Sequence, residues 1–212
     1  MRDALATLLA SASRDELSRV LKVRGVLLDR AIEASGHLVE GTAPLMPAWQ
    51  RYSGVVWTHL DPASLDDEKR RRILVPSGLY GISCGTDAIG DYRLTMKVGL
   101  GGLGNVGRFW RPSLTRVLEG LDEACFVDLL PKEHASALDP RGRLSERVVS
   151  VAFVRHDGEG VAGHDAKAAK GILARRILEG GLESVGGFRW RGWRGRIHRG
   201  RYEVRAPRVL NP

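Results

Sequence analysis

Apolar residues recur every three to four positions over residues 4–33, a spacing that predicts amphipathic helices. Ser13 stands three residues before Glu16, which is the pattern of a capping box at the start of the second helix in this stretch. The same period over residues 108–121 and 166–179 predicts two further helices. Helices therefore begin the chain and recur along it.

Short apolar runs lie between these helices. The runs ILV at 73–75, CFVDLL at 125–130 and VVSVAFV at 148–154 are too short for helices and suit buried strands. The run VVW at 55–57 fits either a strand or the start of a short helix. Strands that alternate with helices predict a mixed α/β fold. We expect one compact domain with a central mixed sheet and flanking helices.

Positive charge is concentrated at the C-terminal end. The 212 residues carry a formal net charge of +8, and residues 186–212 contain eight arginines and one acid, Glu203. We therefore divide the chain into a domain over residues 1–195 and a basic tail over residues 196–212, whose removal we expect to leave the fold intact. Segregated positive charge is typical of proteins that bind a polyanion, with nucleic acid as the first candidate, although a solvated end that aids solubility is the alternative. The arginines that we expect to contact nucleic acid here are Arg189, Arg191, Arg194, Arg196, Arg199 and Arg201.

Hydropathy and cysteine usage argue against a membrane-spanning protein and against a disulfide-rich one. No apolar run approaches the ~18 residues needed to cross a bilayer, so we expect no membrane partner. Cys84 and Cys125 lie far apart without metal-ligand spacing, which fits a reduced cytoplasmic protein better than a disulfide framework. Two His-Asp pairs, at 156–157 and 164–165, have no third cluster beside them. We expect neither a metal nor a cofactor.

The stretch GLGGLGNVG, residues 99–107, allows three interpretations. Its GxGxxG spacing at Gly99, Gly101 and Gly104 matches a dinucleotide-binding turn, which needs a strand before it and an acid such as Asp128 further on. The second interpretation is the turn of a helix-hairpin-helix, whose backbone amides contact phosphate, although no helix is predicted before it. A plain flexible loop is the third.

The predicted helix over residues 166–179 carries basic side chains close to its start. Lys167 and Lys170 lie one turn apart, and Arg175 follows a turn later. The dipole of a helix adds positive potential at its N-terminus, so this arrangement suits an anionic ligand. A solvated helix face is the alternative.

The stretch SGLYGISCGTDAIGDYRL, residues 77–94, follows a predicted strand and combines four glycines with many hydrogen-bonding side chains. Binding residues often lie on loops that a rigid scaffold positions, so we predict that this loop lines a binding cleft. Cys84 lies within it, and we expect either a reduced thiol at the cleft or a small buried apolar side chain.

Four stretches, RYSGVVW, SGLYG…TDAIGDYRLTM, GRFWRPSLTRVL and HDAKAAKGILARRIL, resemble the YaaA family of peroxide-stress proteins in their order and spacing. The resemblance runs from about residue 47 to residue 194. It implies a single α/β domain with a positively charged cleft, in a cytoplasmic protein that binds DNA and limits iron-driven oxidative damage. The residues that match the family's motifs, and that the resemblance implies for the cleft, are Arg51, Tyr52, Tyr80, Asp87, Tyr92, Arg93, Trp110, Lys167 and Lys170.

The chain departs from the family's pattern in three places. No strand with a Pro- and Ser/Ala-rich segment and a lysine precedes residues 1–3, so we expect a divergent member. Cys84 and Gly85 stand where the family tends to have Arg-Pro, and Pro131 and His134 replace a serine and a tyrosine. We expect these changes to alter the ligand or the chemistry of the cleft.

Two functions stay open from the sequence. One is a stress protein that binds nucleic acid through its cleft and its arginine-rich tail. The other is an enzyme that acts on a nucleobase or another small anionic metabolite, with Tyr80, Arg93, Lys167 and Lys170 forming the pocket. We favour the first. Under either function we expect Arg93 and Lys170 to bind a single anionic group together.

Overall fold

The structure is a computed structural model that describes residues 1–122, 125–131, 134, 137–138, 143–155, 159–161, 163–198 and 200–207. It confirms the mixed α/β class. Contacts within the chain separate it into two compact units. Unit 1 comprises Met1–Arg51, Ile73–Asp122 and Leu130–Ser145, and unit 2 comprises Tyr52–Arg72, Glu123–Leu129 and Glu146–Pro212. Within the described residues, no helix combines the length and the apolar character needed to cross a bilayer.

Three helices open unit 1: α1 (Arg2–Ser11), α2 (Arg14–Leu21) and α3 (Val26–Glu40). The Ser13 hydroxyl accepts a hydrogen bond from the Glu16 N–H at 3.3 Å, which confirms the predicted start of α2. The apolar faces of these helices pack together in a core cluster. The buried members of that cluster are Leu17, Leu21, Val23, Leu28 and Ala31.

Two short antiparallel strand pairs follow in unit 1. β1 (Met46–Pro47) pairs with β4 (Ala88–Ile89), and β2 (Leu74–Ser77) pairs with β3 (Gly81–Cys84). We expected one strand and a long loop, but the chain turns back after only three residues. Gly81, with φ +77°, adopts the left-handed backbone conformation in which a side chain is strained, and this lets the second strand begin.

The remaining helices before the large sheet are α4 (Ala48–Arg51) in unit 1, α5 (Val55–Leu60) and α6 (Asp67–Arg71) in unit 2, and α7 (Val106–Gly120) in unit 1. The VVW run is therefore helical. The Asn105 side chain caps α7 by accepting a hydrogen bond from the Arg108 N–H at 3.0 Å. Val106 and Leu114 of α7 join Leu94, Met96, Val98 and Leu100 in a second core cluster.

The glycine-rich stretch before α7 forms a 3-10 turn, Gly101–Leu103. Residues 92–98 just before it are neither strand nor helix. A dinucleotide-binding turn needs a strand at that place, and a helix-hairpin-helix needs a helix. The geometry supports neither of these two interpretations. The third interpretation, a loop, is the one that remains.

Unit 2 contains a five-stranded mixed sheet. Its strands lie in the order β5 (Phe126–Asp128), β6 (Val148–Val154), β9 (Arg201–Arg205), β8 (Trp193–His198) and β7 (Arg189–Trp190). The first three are parallel to one another, and β8 and β7 run antiparallel to their neighbours. A short helix, α8 (Arg143–Arg147), leads directly into β6.

One face of this sheet packs against α9 (His164–Gly180). The cluster between them includes Phe153, Val204 and Trp193 from the sheet and Ala169 and Leu173 from the helix. On its other side α9 contacts α5 closely. A Cβ at Gly171 would stand 2.4 Å from the Val56 carbonyl oxygen, so only glycine allows this approach of the two helices.

The basic C-terminal segment is part of the sheet. The predicted boundary between residues 195 and 196 falls inside β8, and β9 is the middle strand of the five. Val204, on β9, is fully buried in the core of unit 2. Removal of residues 196–212 would therefore take out a central strand, and the expectation that it leaves the fold intact does not agree with the structure.

Candidate nucleic-acid interface

The predicted cleft residues of the SGLYG loop are bound to the loop's own backbone. The Tyr80 hydroxyl accepts a hydrogen bond from the Gly90 N–H at 2.9 Å, and its ring meets Tyr92 edge-on with centroids 5.4 Å apart. The Asp87 carboxylate accepts one from the Cys84 N–H at 2.7 Å. The Trp110 indole N–H donates to the Gly78 carbonyl at 2.8 Å. These side chains hold the loop in shape, and their contact with a ligand stays a prediction.

Two predicted arginines of unit 1 also bind backbone carbonyls. Arg93 donates through Nε to the Leu21 carbonyl at 3.2 Å, where α2 ends. Arg51 donates through Nη2 to the Pro44 carbonyl at 3.0 Å and lies 3.9 Å from an Asp91 carboxylate oxygen. Both guanidinium groups therefore stabilise unit 1. Lys170, the predicted companion of Arg93, belongs to unit 2.

Three predicted binding residues of unit 2 have different surroundings. Tyr52 stacks on Trp57 with ring centroids 5.4 Å apart. Lys167 is exposed on α9. Arg175 donates to the Ser64 hydroxyl at 2.6 Å and pairs with Glu179 of its own helix at 3.0 Å. It also donates to the carbonyls of Leu60 and Asp61, at 3.3 Å and 3.1 Å, which fixes the end of α5 against α9.

Lys170 is a half-buried ionisable group of unit 2. Its ammonium donates to the Leu129 carbonyl at 3.0 Å and lies 5.2 Å from the centre of the Phe153 ring. Burial lowers the pKa of Lys170 below its ordinary value, and the nearby Asp128 carboxylate opposes that shift. The Lys170 side chain is thus half-buried, with its ammonium group beside the C-terminal end of β5.

Most of the C-terminal arginines share one face of the sheet. Val204, Gly195 and Phe153 lie opposite one another on neighbouring strands and face the core. Side chains alternate between the two faces of a strand, so the flanking residues face the other way. We call this outer surface the arginine face, and it consists of Arg189, Arg194, Arg196, Arg201, Arg205 and Glu203.

The arginine face is open to solvent. Four of its arginines are exposed, and the Arg205 side chain retains 33% of its accessible surface. Ser150 and Ala152 of β6, which continue the same face, are exposed as well.

Three arginines of this face lie side by side. Arg194 is directly opposite Arg189 on β7 and directly opposite Arg205 on β9. Like charges at directly opposite positions destabilise a sheet. Glu203 offsets part of this repulsion, because its carboxylate accepts hydrogen bonds from Arg196 at 3.2 Å and from Arg205 at 3.3 Å.

Several other candidates are placed outside this face. Cys84 is half-buried, with its thiol 3.2 Å from the Thr86 hydroxyl, and Cys125 is exposed. Among the residues that the structure describes, no group of three or more His, Cys, Asp or Glu side chains is arranged to hold a metal ion. Arg199 and the predicted pair at 156–157 lie outside the described residues.

The arginine face was not predicted as a surface. The predicted boundary places Arg196, Arg201 and Arg205 in a tail and Arg189 and Arg194 in the domain, so the sequence does not predict that they share a face. The signal that could have found it is a two-residue alternation: in WRGRIH and RYEVR, arginines alternate with residues that pack into the core. That period indicates strands with one polar face.

The chain is similar to known proteins over most of its length. The sequence profile described as "Peroxide stress protein YaaA" matches residues 1–195. A UPF0246 protein of Streptomyces coelicolor is 37% identical over 150 residues, which cover 68% of this chain and 58% of that protein. One from Corynebacterium glutamicum is 33% identical over 178 residues, covering 81% of this chain and 71% of its own length. One from Ruegeria is 30% identical over 194 residues, covering 84% and 75%.

The chain thus spans less than two thirds of the length of the Streptomyces relative. The profile match reaches from the first helix into β8 and leaves four of the six residues of the arginine face outside it, namely Arg196, Arg201, Glu203 and Arg205. It confirms the resemblance carried by the SGLYG and TDAIGDYRL motifs, and the chain belongs to the YaaA family of peroxide stress proteins.

Proposed function

We propose that this protein binds nucleic acid and that the arginine face of unit 2 contacts the phosphate backbone. The observation that carries the proposal is the row of Arg189, Arg194 and Arg205 across three adjacent strands. In a peroxide stress protein, such binding would bring the protein to a molecule that oxidants damage. The localisation that fits this role, and the two reduced cysteines, is the cytoplasm.

A row of like charges is unfavourable for the sheet alone. Each directly opposite like-charged pair opposes strand pairing by a few tenths of a kcal/mol or more. A polyanion removes that repulsion, because each phosphate lies between positive groups and releases its own counterions on binding. The row therefore suits a partner with closely spaced negative charges.

The dimensions of the surface also fit a polymer. Neighbouring strands lie about 4.8 Å apart and residues two apart on one strand about 6.7 Å, so the face presents guanidinium groups in two directions. A guanidinium group binds a phosphate through two parallel N–H donors. Such an open surface is suited to a backbone that passes over it.

A small-molecule enzyme is the second candidate, and the environment of Lys170 favours it. A half-buried lysine with a lowered pKa, close to a carboxylate, is a common feature of catalytic sites. Two surface depressions of about 400 Å³ occur elsewhere, one lined by residues of α7 and one by residues around Gly180. Neither is lined by a predicted site residue. Saturable binding of one small anion, unaffected by loss of the arginine face, would favour this candidate.

A direct test compares Arg194→Gln with Arg19→Gln, an equal charge change at an exposed position in unit 1. Fluorescence anisotropy with a labelled duplex measures affinity, and thermal unfolding reports stability. We expect Arg194→Gln to weaken binding by roughly fivefold to tenfold at low salt, since the variant neutralises one phosphate fewer. Its melting temperature should be equal or higher, because two like-charge pairs disappear.

Arg19→Gln should leave both quantities close to those of the parent. Equal losses of affinity in the two variants would contradict the proposal, because they would show that only net charge matters. Absence of any duplex binding by the parent protein would contradict it more simply.

A further inference from the structure

The turn between β7 and β8 holds an arginine in a backbone conformation that arginine rarely adopts. Arg191 has φ +43° and Gly192 has φ +80°, so both central residues of this two-residue hairpin lie in the left-handed region. Turns of this kind favour Asn or Gly at the first position, because most side chains are strained there. Strain of this kind persists only where the surrounding structure holds it, and it is concentrated at functional sites.

Packing holds this turn from both sides. Trp193 is buried in the core of unit 2, and its cross-strand partner Trp190 is half-buried and meets His59 edge-on. A Cβ at position 192 would stand 2.9 Å from the Cβ of Pro207, so the chain closes against the turn there. The turn is therefore rigid, and Arg191 is exposed on it.

The guanidinium group of Arg191 is also positioned. Its central carbon lies 5.2 Å from the ring centre of Trp190, within the range of a cation–π contact. This contact limits the conformations of a long side chain while leaving it accessible. A guanidinium group is more weakly hydrated than an ammonium, so it enters a confined site at a lower desolvation penalty.

Arg191 lies next to the arginine face. The paired residues Arg189 and Arg194 are the first outward-facing pair behind the turn. A two-stranded ribbon is too wide for the minor groove of B-DNA, which is about 6 Å across, but one arginine side chain fits. Narrow minor grooves in A-tracts have enhanced negative potential and attract inserted arginines.

We propose that Arg191 is a minor-groove arginine, so that the protein prefers duplex DNA with a narrow, A·T-rich minor groove. The inference rests on the proposed nucleic-acid function and names its partner: duplex DNA, with Arg189 and Arg194 on the phosphates beside the groove. Phosphate contacts fix the position of the protein, and Arg191 reads the shape of the groove.

The test uses the full chain and two duplexes of about 20 base pairs, one with a central A-tract and one rich in G·C. The variants are Arg191→Lys, which keeps the charge, and Arg191→Gly, which suits the left-handed backbone and so keeps the fold. For the parent protein we expect roughly tenfold tighter binding to the A-tract duplex. Netropsin, which occupies the minor groove, should compete.

Arg191→Lys should reduce the preference to about twofold without changing the salt dependence, because the phosphate contacts remain. Arg191→Gly should abolish the preference and keep a melting temperature at least equal to that of the parent. Equal affinity of the parent for the two duplexes, tighter binding to single strands, or a preference that survives in Arg191→Gly would overturn this inference. Failure to bind any DNA would instead overturn the proposed function itself.

Discussion

The indole of Trp110 occupies the space that a side chain at Gly81 would need. A Cβ at position 81 would stand 2.8 Å from Cε3 of Trp110, and the same indole donates its N–H to the Gly78 carbonyl. Gly81 thus lets α7 approach the hairpin closely, whereas a Cβ at Gly78 would stand 2.3 Å from the Leu94 carbonyl oxygen. Their role follows from the packing of unit 1, independently of any ligand.

Substitution at this contact should destabilise unit 1. We expect Gly81→Ala to lower the free energy of unfolding by about 3 kcal/mol, because it combines a left-handed backbone with a steric clash. Gly102→Ala is the matched control, since its Cβ would meet nothing within 4 Å and its φ is not in the left-handed region. Urea unfolding followed by tryptophan fluorescence measures both.

The control should change stability by at most roughly 1 kcal/mol in either direction. If Gly81→Ala were as stable as Gly102→Ala, the close approach of Trp110 to the hairpin would not be a feature of the folded protein.

Glu203 should weaken binding to nucleic acid. Its carboxylate lies among the arginines that we assign to phosphate and binds two of them, Arg196 and Arg205. Glu203→Gln removes a negative charge from the face, so we expect affinity for duplex DNA to rise about fivefold at low salt, the scale of a unit charge at short range in water. Glu183→Gln, at an exposed position of the same unit, is the control and should change affinity by less than about twofold. Weaker binding by Glu203→Gln would show that the face does not meet phosphate.

The lysine between β5 and α9 should make stability depend on alkaline pH. Burial lowers the pKa of Lys170 in the folded state below its ordinary value of 10.5. The unfolded state then binds more protons between the folded pKa and 10.5, so the contribution of Lys170 to stability rises with pH in that window and falls as pH drops from 10.5 to the folded pKa.

The measurement is the difference in unfolding free energy between the parent protein and Lys170→Met, taken at several values from about pH 7.5 to about pH 10.5. The difference should move in favour of the parent protein as pH rises, because the unfavourable buried charge is removed. A difference that stays constant, or that moves the other way, would mean that the ammonium of Lys170 is well solvated.

The sequence predicted the helices well because caps and apolar periodicity depend on residues that are close together in the chain. The cap at Ser13 and the apolar period of α7 and α9 depend only on neighbours within a few residues, and the structure confirms them. The run VVW is too short for its period to distinguish a helix from a strand, so the sequence left it open. It is helical, and Gly171 allows α9 to approach it closely.

The sheet of unit 2 could not be predicted in the same way. Trp193 and Val204 are separated in sequence from the residues of β6 and α9 with which they pack, so the composition of the segment, rich in arginine, dominated its interpretation. The hydrogen-bonding side chains of the SGLYG loop suggested a cleft because the sequence does not show which partners these side chains bind. The side chains of Tyr80 and Asp87 accept hydrogen bonds from nearby backbone N–H groups, and only the folded loop shows these bonds.

The salt dependence of binding tests the arginine face most directly. On duplex DNA, the slope of log affinity against log salt falls by about 0.9 for each phosphate that the protein no longer neutralises. We compare the triple variant Arg194→Gln, Arg196→Gln, Arg201→Gln with a control triple variant, Arg19→Gln, Arg24→Gln, Arg30→Gln, whose exposed residues lie in unit 1 and whose net charge changes equally. If the arginine face binds phosphate, the slope of the first should be smaller than that of the parent protein by about 2.7, while the control retains nearly the parent's slope. Equal slopes in the two triple variants would contradict the assignment of the phosphate backbone to this face.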